Sequence, residues 1–69
     1  MSHYNLLFKS FADAADAGNC LRDIHKKYTW TPLKDGSIVI KTELSEAELI
    51  YIRQLEYDLE VPIIVRVLD

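Results

Sequence analysis

YTWTPLKDGSIVIKT, residues 28–42, is the stretch that decides how this chain folds. Tyr28-Thr29-Trp30-Thr31 is dense in aromatic and β-branched residues, which suit a pleated surface better than a helical one. Ser37 to Thr42 repeats that character beyond Lys34-Asp35-Gly36, so the stretch predicts a β-hairpin. The turn sets the register, and a slip of one residue moves every side chain of a strand to the other face. A two-residue Asp35-Gly36 turn pairs Leu33 with Ile38 and Thr31 with Ile40, leaving Tyr28 and Trp30 on the outer face. A three-residue turn with Gly36 as the left-handed bulge residue pairs Leu33 with Ser37 and Trp30 with Ile40, sending the indole inward. The second register is favoured, because it leaves Thr29, Thr31 and Lys41 outside and gives a small core its largest apolar side chain.

Either side of the hairpin lies a capped helix. Ser10, with Asp13 three residues on, resembles a capping box with Asp in place of the usual Glu or Gln, and predicts a helix running to about Lys27. Ala14, Ala17, Leu21 and Ile24 form its buried stripe, with Phe11 and Cys20 at the flanks. Small residues at Ala12, Ala14, Ala15 and Ala17 let the first turns lie close to a sheet. Gly18-Asn19 costs about 1 kcal/mol of propensity relative to alanine, which predicts a weak or kinked point. Downstream, Ser45 and Glu48 make a full capping box, and Leu44 and Leu49 stand at hydrophobic-staple positions, so a second helix is predicted from Glu46 to Leu59. Its buried stripe is Ile52, Leu55 and Leu59, helped by Ala47 or the stem of Glu48 and by Tyr51 at the margin. Ile50 and Tyr57 fall on a neighbouring face that the core cannot fully cover.

The chain ends complete the pattern. Tyr4 to Lys9 alternates Tyr4, Leu6 and Phe8 with Asn5, Leu7 and Lys9, the two-residue period of a strand. Pro62 opens a last strand, placed at a sheet edge because proline cannot donate to a ladder. There Ile63, Val65 and Val67 face the helices, and Ile64, Arg66 and Leu68 face away. The order is β-α-β-β-α-β. With right-handed crossovers it closes into a ferredoxin-like two-layer sandwich over residues 1–69: a four-stranded antiparallel sheet of order 4-1-3-2 with both helices on one face.

Size and composition bound the rest. A chain of 69 residues buries one small core and holds a single domain. With one cysteine, Cys20, and no Cys/His cluster at ligand spacing, neither a disulfide nor a structural metal is expected to staple it. No apolar run approaches the 18 to 20 or so residues that cross a bilayer, and Met1-Ser2-His3-Tyr4 lacks the signature of a signal peptide. A cytoplasmic protein is expected, the lone thiol being compatible with a reducing compartment. The net charge is −3, with six bases and four acids over residues 1–42 and two bases and seven acids over residues 43–69. Arg22, Lys26 and Lys27 are the one local basic cluster, and bases in the last turn of a helix are explained by its dipole. That is too little for phosphate neutralisation, so nucleic acid is not the expected partner.

Function must be sought in sites, since this fold is much reused. The uncovered sheet face carries Leu7, Val39, Ile64 and Leu68, diluted by Asn5, Lys9, Lys41 and Arg66. A contiguous apolar patch of that kind marks a partner surface. The edge strands Tyr28 to Leu33 and Ile63 to Leu68 add unpaired backbone groups. Base-stacking aromatics, paired cysteines at the first helix and glycines in the first strand-to-helix loop are all missing, which argues against RNA reading, metal transport and phosphate binding. Cys20 and His25, five positions apart, diverge by about 140° around a helix and make no nucleophile-base pair. Glu56, Asp58 and Glu60, with Asp13, Asp16 and Asp35, fall near one rim, where a solvated acidic edge is the plainer reading.

The expectation is therefore a non-enzymatic protein-interaction module without cofactor or metal. It would bind or modulate a larger protein, as small phage- and mobile-element-type inhibitors do, or pair with itself as a homodimer through the open face. Its contact residues are Leu7, Val39, Lys41, Ile64, Arg66 and Leu68, or the helix pair Ile50 and Tyr57. The alternatives are a small-ligand regulatory domain with its site at a subunit interface, and a nucleic-acid-binding sheet face.

Overall fold

A computed structural model describes residues 2–68; Met1 and Asp69, the ends of the expected domain, lie outside them. The elements are β1 (Ser2–Phe8), α1 (Phe11–Asp23), β2 (Tyr28–Pro32), β3 (Ile38–Leu44), α2 (Glu46–Arg53), α3 (Leu55–Asp58) and β4 (Ile64–Val67). The sheet has the order β2-β3-β1-β4, and every neighbouring pair is antiparallel. This is the ferredoxin-like sandwich, with the second helix delivered in two pieces.

The hairpin takes the three-residue register. Trp30 pairs with Ile40, the Leu33 N–H donates to the Ser37 carbonyl at 2.8 Å, and Gly36 sits at φ 91°, a left-handed conformation that glycine adopts without steric cost. The Asp35 carboxylate accepts the Ser37 N–H at 2.9 Å and the Ser37 hydroxyl, bonds that hold its pKa below the ordinary value. Trp30 therefore points at the helices, packs on the core and meets Phe11 edge-to-face with ring centroids 5.4 Å apart. Phe11 itself remains largely exposed.

Between sheet and helices lies a core of Tyr4, Leu6 and Phe8 from β1, Ile38, Ile40 and Leu44 from β3, and Ala14, Ala17 and Leu21 from α1. Ile52, Leu55, Val61 and Ile63 close it. Thr42 shares that side, and its hydroxyl donates to the Lys27 carbonyl at 2.9 Å, so the one polar residue buried among those described is satisfied.

Several boundaries differ from the sequence expectation. The Ser10 half of the box read at α1 is present, the Asp13 N–H donating to Ser10 Oγ at 3.2 Å, but the helix stops at Asp23 rather than Lys27. His25 adopts φ 58°, its N–H bonds to the Arg22 carbonyl and the Lys26 N–H to the Leu21 carbonyl: a Schellman ending with histidine in the seat usually held by glycine. The helix runs unbroken through Gly18.

The second helix does not continue to Leu59. It breaks at Gln54, and after α3 Glu60 takes φ 53° while the Val61 N–H returns to the Leu55 carbonyl at 3.1 Å. That turn swings Leu59 outward, 56% exposed, and brings Val61 into the core in its place. Ala47 is likewise exposed. Val67 stands on the helix side of β4 opposite Tyr4, as read, yet is 58% exposed.

The second capping box is complete, with the Glu48 N–H on Ser45 Oγ at 3.2 Å and the Ser45 N–H on Glu48 Oε1 at 2.8 Å. Lys26 Nζ adds an ion pair to Glu48 Oε2 at 2.9 Å, tying the end of α1 to the start of α2. The Ser45 backbone bond first, and then Lys26, hold the Glu48 pKa below the ordinary glutamate value. A carboxylate lowered in the folded state adds stability above its unfolded pKa and loses it as pH falls through the folded value. Glu48→Gln is expected to be less stable than the parent at neutral pH, the gap closing toward the acid end. Urea unfolding of both proteins over a pH series checks this, and parallel curves would refute it.

Candidate functional site: the open sheet face

Because side chains alternate along a strand, burying Tyr4, Leu6, Phe8, Ile38, Ile40 and Trp30 against the helices turns their neighbours to the opposite face. The register sets these out in rows. One row runs Thr31, Val39, Leu7, Ile64 across the four strands; the next runs Thr29, Lys41, Asn5, Arg66. A third holds Glu43 and His3, with His3 Nε2 3.6 Å from Glu43 Oε2, and Leu68 joins it through its N–H bond to the His3 carbonyl. No described element covers these rows.

One groove lies on this face and a second wraps the end of the sheet beside it. Asn5, Leu7, Leu33, Val39, Ile64 and Arg66 line the first. His3, Lys27, Tyr28, Thr29, Lys41, Thr42 and Glu43 line the second, at the end of the sheet where β2 begins. The first is apolar with one guanidinium at its margin; the second gathers His3, Lys27 and Lys41 around a single carboxylate. The face is thus more basic than a chain of net charge −3 suggests.

The expected contact residues separate into two sets. Leu7, Val39, Ile64 and Arg66 meet in the apolar groove, Lys41 lies in the adjoining one, and Leu68, 39% exposed, stands at the corner. Ile50 and Tyr57 belong to another surface: they lie on α2 and α3 of the helix layer and are 61% and 81% exposed. Asn5 is on the face as expected, there as a polar diluent, whereas Leu33, His3 and Lys27 are not among the expected contact residues. Leu33 was within reach, since the three-residue register extends the outward series Thr29, Thr31 by one more step.

Three acids of the expected rim have local roles. Asp13 sits in the first turn of α1, Asp35 braces the hairpin, and Glu56 pairs with Arg53 at 3.2 Å. Cys20, half-buried on α1, shares a side-chain hydrogen bond with Tyr51 of α2; burial first, then Asp23 and Asp16, push its thiol pKa up against that bond. A raised thiol is a poor nucleophile. The described residues hold no group of three or more side chains able to hold a metal ion, and no helix among them is long and apolar enough to cross a membrane. Among the described residues the open rows carry no Phe, Tyr or Trp on which a base could stack.

No family model matches the chain, and no curated protein does either. The fold has a solved counterpart in a structure described as that of a candidate PII-like signaling protein from Thermus thermophilus. The two share a TM-score of 0.68 at 17% sequence identity, the match covering 97% of this chain and 83% of that one. At that identity the likeness establishes the architecture and leaves the site to be argued from its own residues.

Proposed function

We propose that this chain is a non-enzymatic binding module that docks a larger protein on its open sheet face and modulates it. The carrying observation is the uncovered apolar row Val39–Leu7–Ile64 next to a groove gathering His3, Lys27 and Lys41. The surface that complements it presents apolar side chains beside carboxylates. Face-to-face pairing of two copies is the weaker reading of the same surface, because it brings two sets of Lys41 and Arg66 together. The raised thiol of Cys20 supports a role without nucleophilic catalysis, and a free cysteine suits the cytoplasm, where we place the protein. A small anionic ligand seated at the His3, Lys27 and Lys41 groove, completed by another subunit, is the second reading. The signalling description of the structural counterpart is compatible with it.

Capture from a cell extract with paired baits is the test. The parent is expected to retain a protein that rising salt releases, as exposed charge pairs require. Leu7→Glu and the double variant Lys41→Glu/Arg66→Glu are expected to weaken that retention by more than about tenfold, a loss on the order of 1.4 kcal/mol or more. Equal retention by parent and Leu7→Glu would refute docking on this face. A fall in the parent's own oligomeric mass on Leu7→Glu would reassign the face to self-association.

A further inference from the structure

The two edges of the sheet are unlike in a way that bears on self-association. In an antiparallel ladder hydrogen-bonded pairs alternate with non-bonded ones. On β2 the bonded pair Leu33 and Ser37 fixes the phase, so Tyr28, Trp30 and Pro32 turn their backbone outward, and Pro32 has no N–H to offer. That edge is blunted by one of the devices natural sheets use. On β4 the Leu68 N–H bond to the His3 carbonyl fixes the phase the other way: Ile64, Arg66 and Leu68 address β1, while Val65 and Val67 turn their N–H and C=O outward, and the same alternation carried one step before the strand gives Ile63 that direction. All three can donate and accept.

The side chains on this edge are unprotected as well. Of the nine large apolar side chains that stay exposed among the described residues, three fall within residues 64–68: Ile64 at 57%, Val67 at 58% and Leu68 at 39%. They stand on both faces of the strand, Val67 on the helix side and the other two on the open side, so no packing within one copy covers them. Arg66 is the single charge from Val61 to Leu68.

We propose that β4 is the seat of a second copy of this chain, the two β4 strands pairing antiparallel about a two-fold axis through Val65 to join the sheets into one of eight strands. The register follows from the outward positions. Centred on Val65, Val65 pairs with its own counterpart and Ile63 with Val67 of the other copy, so all three outward residues of each strand are used. The side chains agree: Val67 comes against Ile63 of the other copy on the helix side, Leu68 over Pro62 of the other copy, and Ile64 beside the stem of Arg66 of the other copy. The neighbouring register, centred on Arg66, sets two guanidinium groups face to face, a destabilising pair. A strand whose outward groups satisfy themselves under two-fold rotation is self-complementary, the requirement of an isologous dimer. This contact lies on the sheet's edge and the docking surface proposed above lies on its flat, so Leu7→Glu tells them apart.

Light scattering across a dilution series is expected to give twice the 8.0 kDa protomer mass at the concentrated end. Val67→Lys, at a position open enough to accept the charge without unfolding, is expected to weaken the dimer by at least about tenfold, while Leu7→Glu leaves its mass unchanged. Val65→Cys in a Cys20→Ser background is expected to trap as a disulfide dimer on mild oxidation, because bonded antiparallel partners stand about 5.5 Å apart at Cα, within disulfide range; Thr29→Cys on the other edge is expected to stay monomeric. A protomer mass throughout the series overturns the proposal. So does a dimer indifferent to Val67→Lys, or trapping at position 29 in preference to 65.

Discussion

Phe8→Ala is expected to leave about half of the chains unfolded in water. Phe8 is among the largest side chains that are fully buried, sits at the end of the central strand β1 and joins the core that both helices cover. Truncating a buried phenylalanine to alanine costs about 3–5 kcal/mol, the lost transfer energy plus the cavity left behind. A single core in a chain this short supplies net stability of roughly the same size, about 3–5 kcal/mol. The two cancel, so far-UV circular dichroism should show about half of the population disordered before any denaturant is added. Leu59→Ala is the matched control: its side chain is 56% exposed, and its removal is expected to cost less than about 1 kcal/mol. A Phe8→Ala protein as cooperative and stable as the Leu59→Ala protein would mean that the core is not centred on β1.

The contrast between those two leucine- and phenylalanine-bearing segments shows where sequence patterns are informative. Strand alternation in β1 and β3 needs only a two-residue period, and each residue read as inward there is buried. The hairpin register was legible because Gly36 can take the left-handed conformation that a three-residue turn demands. Leu59 failed for a reason that a 3.6-residue period cannot contain. The stripe Ile52, Leu55, Leu59 holds only while the helix stays regular, and the chain breaks at Gln54 and turns at a left-handed Glu60. Neither residue is a glycine or proline, so no sequence signal marks the break; it is set by the need to bring Val61 and Ile63 over the core. The early end of α1 has the same origin, since His25 is an unusual occupant of a Schellman position.

The open face was legible in outline and not in composition. Leu7, Val39 and Ile64 follow from strand parity alone, and the register joins them into one row. Charge was harder to place. Lys27 lies between α1 and β2, and His3 lies in a stretch of β1 that precedes the expected strand start, so neither could be assigned to a groove until the ladder was known. Ile50 and Tyr57 were legible as a surface of their own, since helical spacing alone sets them on a face of the second helix that the core leaves uncovered, and both are exposed.

Gly18→Val is expected to destabilise the fold by about 2–3 kcal/mol, the upper part of the range for overpacking. Gly18 is buried on α1 against the hairpin, and a Cβ there stands 2.9 Å from Tyr28 Oη, 3.4 Å from Tyr28 Cζ and 3.8 Å from Trp30 Cζ3. The residue that looked like a weak point in a helix is what lets the aromatic pair of β2 lie down on α1. Its propensity cost of about 1 kcal/mol relative to alanine is the opposing term. With Gly18→Ala the two are of similar size, since the atom to be displaced is the far end of the Tyr28 side chain, and a net change near zero is expected. Removing that oxygen separates them. In a Tyr28→Phe background Gly18→Ala should become stabilising, with a coupling between the two positions on the order of 1 kcal/mol in a double-mutant cycle. Trp30 reports the same displacement: in Gly18→Val its emission should shift to the red as the β2 aromatics lift from the helix. Additive effects at positions 18 and 28, with unchanged indole emission, would place the tyrosine elsewhere and remove the reason for a glycine in the middle of α1.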